Sequence, residues 1–161
     1  MDSSRVLLDD LASIDEHGLA VAAPPDVVWD ATLASLGASF SAPWPRRLAR
    51  LLGTDPALAS GWRRPQVGST IPGFRIVAAH RPDLLVISGS HRFSRYGIVF
   101  RIERFAEGAR CRAESRATFL GLPGRLYRLA VVGSGGHVVV VRRMLLGIKR
   151  TAERSAGIRR G

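Results

Sequence analysis

Between Gly73 and Phe119 polar and apolar positions alternate with a period of two. Beyond Pro123 the period lengthens to three and four. In Cys111–Phe119 one face carries Arg112, Glu114, Arg116 and Thr118, and the other carries Cys111, Ala113, Ser115, Ala117 and Phe119. Strict alternation predicts a strand with one wet and one covered face. Upstream, strands are expected over Gly73 to His80, Leu84 to His91 and Tyr96 to Phe105, the last placing Tyr96, Ile98, Phe100 and Ile102 on its covered face. The connections at Arg81-Pro82-Asp83, Arg92 to Arg95 and Ala106-Glu107-Gly108 are short enough to force antiparallel neighbours. The covered side of the last strand is built from small side chains, which predicts a hollow beneath whatever packs on it.

Residues 1–13 form an acidic lead-in, and Ile14 to Ala22 is a first strand with Leu19 and Val21 on one face. The sequence Ala23-Pro24-Pro25-Asp26-Val27-Val28-Trp29 then turns strand into helix. Proline is accepted in a first helical turn, and Asp26 suits the positive end of the helix. This helix is expected to stop at Gly37. The stretch from Ala38 to Pro65 holds Pro43, Trp44, Pro45, Trp62 and Arg63-Arg64, with a short helix from Arg46 to Leu52, and is read as a rim or lid over the hollow. After Gly121-Leu122-Pro123-Gly124, a long C-terminal helix carries the stripe Tyr127, Val131, Ser134, Val138, Val141, Leu145 and Ile148. Gly133, Gly135 and Gly136 each weaken it by about 1 kcal/mol relative to alanine, which predicts a kink or break there. Residues 156–161 form a tail.

This order of elements, with the Ala-Pro-Pro-Asp-Val-Val-Trp turn at residues 23–29, resembles the START-like superfamily of helix-grip proteins, also called SRPBCC or polyketide cyclase/dehydrase-like. The segments Gly89–Tyr96 and Gly124–Arg128 look like an uncharacterised bacterial branch of it. The resemblance implies an α+β helix-grip fold, a curved antiparallel sheet wrapped around a long C-terminal helix with two short helices after the first strand. It extends over residues 14–155, within one domain spanning residues 1–161. It also implies a hydrophobic cavity, but no single chemistry, because functions differ widely on this fold.

Charge and composition narrow the partners. The net charge is +11, yet residues 1–30 hold one basic residue against seven acidic, and the remainder 23 basic against six acidic. Lysine occurs once, at Lys149, as expected where arginine replaces lysine for coding reasons. A single cysteine, Cys111, excludes an internal disulfide. The start lacks a secretion signal, and the apolar stretch Leu129 to Val141 is too short to span a bilayer, so a cytoplasmic protein is expected. No Walker loop or Gly-x-Ser-x-Gly elbow occurs, and the glycines at 133–136 lack the third glycine of a dinucleotide turn. No cofactor is expected, and His17, His80, His91 and His137 lack ligand spacing for a metal.

The residues expected to line the hollow are Ile76, His91, Tyr96, Ile98, Phe100, Ala113, Ser115, Phe119, Tyr127 and His137. Tyr96 could donate to a ligand carbonyl, and His91 could act as acid or base. Three readings stay open: carriage of a small hydrophobic or amphipathic molecule, a cyclase- or aromatase-like enzyme using Tyr96 with His91 or His137, and binding of an anionic surface or nucleic acid through the outward Arg75, Arg101, Arg110, Arg112 and Arg116. Few aromatics accompany these arginines, which gives no support to base stacking and makes nucleic acid the weakest partner. The sequence leaves the oligomeric state and the identity of the ligand open.

Overall fold

The computed structural model describes Leu8, residues 10–41, Arg47 and residues 50–160. Six strands form one antiparallel sheet: β1 (Ala12–Val21), β2 (Thr70–Ile71), β3 (Phe74–His80), β4 (Leu84–His91), β5 (Ser94–Phe105) and β6 (Gly108–Phe119), in the order β1-β6-β5-β4-β3-β2. The helices are α1 (Pro25–Ser41), α2 (Gly121–Arg128), a π-helical turn over Leu129–Gly133, and α3 (Gly136–Arg160). This is the helix-grip arrangement expected from the element order. β2 was not foreseen, being two residues long.

Helix α3 lies on the sheet through Val141, Leu145, Ile148, Ala152 and Ala156, all buried, at the three-and-four spacing of one helical face. Helix α1 packs beside it, with Val28, Trp29 and Leu36 joining Ile76, Leu85, Ile87 and Phe100 of the sheet in a single cluster. Each such aliphatic or aromatic side chain stabilises the fold by about 1.5 to 3 kcal/mol on burial.

Gly37 does not end α1, which continues to Ser41. A β-carbon at Gly37 would sit 2.5 Å from Nε1 of Trp62, whose indole N–H donates to the Leu33 carbonyl over 3.3 Å. The glycine therefore makes room for a tryptophan that clasps the helix. The expected break near Gly133 is present: the Gly121–Gly133 and Gly136–Gly157 helices meet at a bend of 53°. Of the short helix expected over 46–52, Arg47 and Arg50 to Leu52 are helical; the rest, with Pro43, Trp44 and Pro45, lies outside the described residues.

The outer face of the sheet is not uniformly wet. Val86, Val99 and Ala78 form a second apolar cluster there, covered by Leu8 and Leu11 of the lead-in. Gly97 permits this cover, since a β-carbon on it would meet Leu8 Cδ1 at 2.7 Å. Thr118 Oγ1 donates to the Asp10 carbonyl over 3.0 Å, and Arg95 pairs with Asp10 at 2.7 Å, holding the segment down.

Candidate functional site

Strand register divides the inner face of the sheet into cross-strand rows. Moving inward from one end, these are His91, Ser94 and Phe119; Gly89, Tyr96 and Ala117; Ile87, Ile98 and Ser115; and Leu85, Phe100 and Ala113. The last two rows lie in the packed core. Above the first two, helix packing stops: the chain breaks at Ser134-Gly135 and α2 continues at an angle to α3. The result is a cleft of about 350 Å³, walled by sheet residues of the first two rows, by Phe40 of α1, by Phe74, and by Tyr127, Val131 and Val140 around the bend. That volume falls within the range of small-molecule sites.

Gly124 sets one wall. A β-carbon there would meet the Phe93 carbonyl oxygen at 2.8 Å, so only glycine lets α2 settle on the β4–β5 turn. The settling brings Tyr127 edge-on to His91, with ring centres 4.7 Å apart at 74°, and stacks it near Phe93 at 5.9 Å and 27°. Burial raises the pKa of the Tyr127 phenol. Among the described residues its hydroxyl has no hydrogen-bond partner.

His91 is 8% exposed. Its Nδ1 accepts the Phe93 backbone N–H at 3.1 Å, and its Nε2 lies 3.1 Å from Ser94 Oγ. A backbone N–H can only donate, so the neutral ring carries its proton on Nε2 and gives it to Ser94. Desolvation lowers the pKa of the imidazole, which favours that neutral form. Ser94, 2% exposed and on the cleft wall, then has its own O–H free to point at a guest. This polarity is the reverse of a nucleophilic serine–histidine pair, in which the ring must accept from the hydroxyl.

Tyr96 also lines the cleft, but its hydroxyl donates to the Gly73 carbonyl at 3.0 Å. Burial raises its pKa, with Tyr127 and Asp55 adding to the effect. Thr54 belongs to the same wall, and its Oγ1 is buried with no partner among the described residues. Among the described residues no Asp, Glu, Lys or Arg contributes to the lining.

The sequence expectations separate accordingly. His91, Tyr96, Phe119 and Tyr127 lie together on the cleft wall. Ile76, Ile98, Phe100, Ala113 and Ser115 are buried away from it. The small residues of β6 let α1 approach closely instead of leaving a void: Thr32 of α1 reaches the Cys111 thiol. His137 does face the sheet, but at β1: its Nε2 lies 3.5 Å from Asp15 Oδ1, and His17 Nε2 lies 3.2 Å from Asp15 Oδ2. This polar cluster was missed, although alternation along β1 puts Asp15 and His17 on the same face as Leu19. Ser94, Thr54 and Ala117 were missed as wall residues too. Counting in twos from Tyr96 would have reached Ser94; Ala117 was placed on the covered face of its strand but not named as wall, and nothing local marks Thr54. Among the described residues no group of three His, Cys, Asp or Glu side chains is placed to hold a metal ion.

On the outer face, Arg112 meets Glu103 and Glu16, Arg116 meets Glu114 at 2.8 Å, and Arg110 lies over the Phe105 ring at 4.0 Å. Those three arginines are tied to partners on the sheet itself, which weakens the case for an anion-binding surface there.

No protein-family model matches the sequence, and no curated protein does. Solved structures do match in shape. Mll3558 from Rhizobium loti aligns over 88% of this chain and 96% of its own at 16% identity and a TM-score of 0.53. CV1439 from Chromobacterium violaceum aligns over 88% and 99% at 12% identity and 0.54. Ara h 8.0201 aligns over 88% and 97% at 12% identity and 0.50. Identities this low carry the fold alone, and that fold is the helix grip.

Proposed function

We propose that the protein binds and carries a small, neutral, largely apolar molecule bearing a hydrogen-bond acceptor such as a carbonyl oxygen. The observation that carries this reading is the cleft of about 350 Å³, apolar and aromatic around most of its wall, with Ser94 offering a hydroxyl that His91 leaves free to donate. Affinity would come mainly from apolar burial, at about 25 cal/mol per Å². Ser94, Tyr127 and Thr54 would fix orientation. A charged guest is disfavoured, since among the described residues no ionised side chain on the wall waits to compensate its desolvation.

The cyclase- or aromatase-like alternative asks Tyr96, His91 or His137 to move protons. The Tyr96 hydroxyl donates its hydrogen bond to the Gly73 carbonyl, the one lone pair of neutral His91 is taken by the Phe93 N–H, and His137 sits at β1 away from the cleft wall. These commitments favour carriage over turnover.

Native mass spectrometry of the purified protein, followed by identification of what it releases, tests the proposal, with uptake of the neutral probe N-phenyl-1-naphthylamine as a second measurement. The expected result is a neutral apolar guest bearing a hydrogen-bond acceptor whose retention Ser94→Ala weakens several-fold, or saturable probe binding. A protein that carries nothing and binds no probe would overturn it. So would a bound molecule consumed by the wild type but not by Tyr127→Phe.

A further inference from the structure

We infer that the bend between α2 and α3 docks on an anionic phospholipid bilayer. Leu122, Leu126 and Leu129 follow one another at spacings of four and three and are 73%, 68% and 68% exposed. Across the bend, Val139 and Val140 are 50% and 63% exposed. Side chains of this size, gathered at one end of the molecule, form the kind of apolar patch that marks a docking surface.

Charge identifies the partner. From Gly121 to Thr151 the chain holds Arg125, Arg128, Arg142, Arg143, Lys149 and Arg150 and no acidic residue. Lys149 pairs with Glu153 and Arg128 lies 6.0 Å over Phe119, whereas among the described residues Arg125, Arg142 and Arg143 meet no carboxylate. A second copy joined through a two-fold interface would set these cations against their own equivalents. An anionic leaflet complements them while accepting the leucines among its headgroups. No single helix among the described residues is long and apolar enough to cross a membrane, and α3 is held to the sheet by Val141, Leu145 and Ile148, so the contact is superficial. Tyr127, Val131 and Val140 belong to the same bend and line the cleft, so docking would bring the cleft wall to the lipid surface. The inference rests on the exposed bend alone and holds whether or not the cleft is occupied.

Flotation with vesicles of phosphatidylcholine alone, or mixed with phosphatidylglycerol, provides the test. Binding is expected only to the anionic vesicles and is expected to fall as salt rises. Arg125→Gln and Arg142→Gln should each weaken it about fivefold. Leu126→Ser with Leu129→Ser should abolish it, while circular dichroism and uptake of N-phenyl-1-naphthylamine stay unchanged. Failure to bind anionic vesicles, equal binding to neutral ones, or a concentration-dependent dimer lost in the leucine variant while vesicle binding persists would each overturn the inference. Probe uptake reports separately on the cleft, so the two proposals fail independently.

Discussion

Tyr96 reaches across the sheet end to donate its hydroxyl proton to the carbonyl of Gly73, 3.0 Å away. The contact exists because Gly89, paired with Tyr96 in register, has no side chain: a β-carbon there would stand 1.9 Å from the Gly73 oxygen. Tyr96 thus acts as a strut between β5 and the β2–β3 turn. Tyr96→Phe should cost about 1 to 3 kcal/mol by stranding a carbonyl. Gly89→Ala should cost at least as much through forced displacement of the turn. The two losses should add to less than their sum in urea unfolding, because both break one contact. A Tyr96→Phe protein of unchanged stability that binds apolar probe tenfold more weakly would show a ligand contact instead.

Burial of neutral His91 makes stability depend on pH. Its pKa falls on folding below the ordinary 6.5, because the buried ring resists charge. Protonation at Nδ1 would also set a second proton against the Phe93 N–H. As pH falls through 6.5 the unfolded chain takes up a proton that the folded chain refuses, so stability is lost on acidification and is fully present above that value. Urea midpoints measured from about pH 8 to pH 5 should fall more steeply in the wild type than in His91→Gln. Parallel curves would place the acid sensitivity elsewhere.

Alternation and turn spacing were enough to give five of the strands and the antiparallel pairing of the last four, because one covered face fixes which residues look inward; the pairing of β1 with β6 was not legible. The position of the hollow was not legible. Small residues on β6 were read as space, but whether space survives depends on what lies opposite, and α1 fills it with Val28, Trp29 and Leu36. Gly37 misled for a related reason: a glycine that ends a helix and one that receives Trp62 look alike in sequence. The break at Gly133–Gly135 was legible, and it is this break that ends helix cover above the Ser94 and Tyr96 rows. Likewise the outward arginines were visible as a charge pattern, whereas Glu16, Glu103 and Glu114 as their partners emerge only from strand register.

Cys111 offers a direct probe of core integrity. It is fully buried, and desolvation pushes its thiol up to about 12, with the neighbouring Thr32 hydroxyl acting in the opposite direction. With almost no thiolate and no access, the native protein should resist maleimide labelling, and the labelling rate should follow the unfolded fraction as urea is added. Rapid labelling without denaturant would mean that α1 lifts from the sheet under native conditions.

The division between cleft and core can be tested on one strand. Ala113 and Ala117 both face inward from β6, but Ala113 belongs to the Phe100 row under α1 and is fully buried, while Ala117 belongs to the Tyr96 row and borders the cleft. Ala113→Phe forces a ring into packed space and should cost about 1 to 3 kcal/mol or more. Ala117→Phe places the same ring in the opening. It should change stability by less than about 1 kcal/mol, since no packed neighbour must move. It should nonetheless lower uptake of N-phenyl-1-naphthylamine more than tenfold by occupying the guest's volume. The opposite outcome, with Ala113→Phe tolerated and blocking uptake while Ala117→Phe unfolds the protein, would place the hollow over the middle of the sheet, where the small side chains alone suggested it.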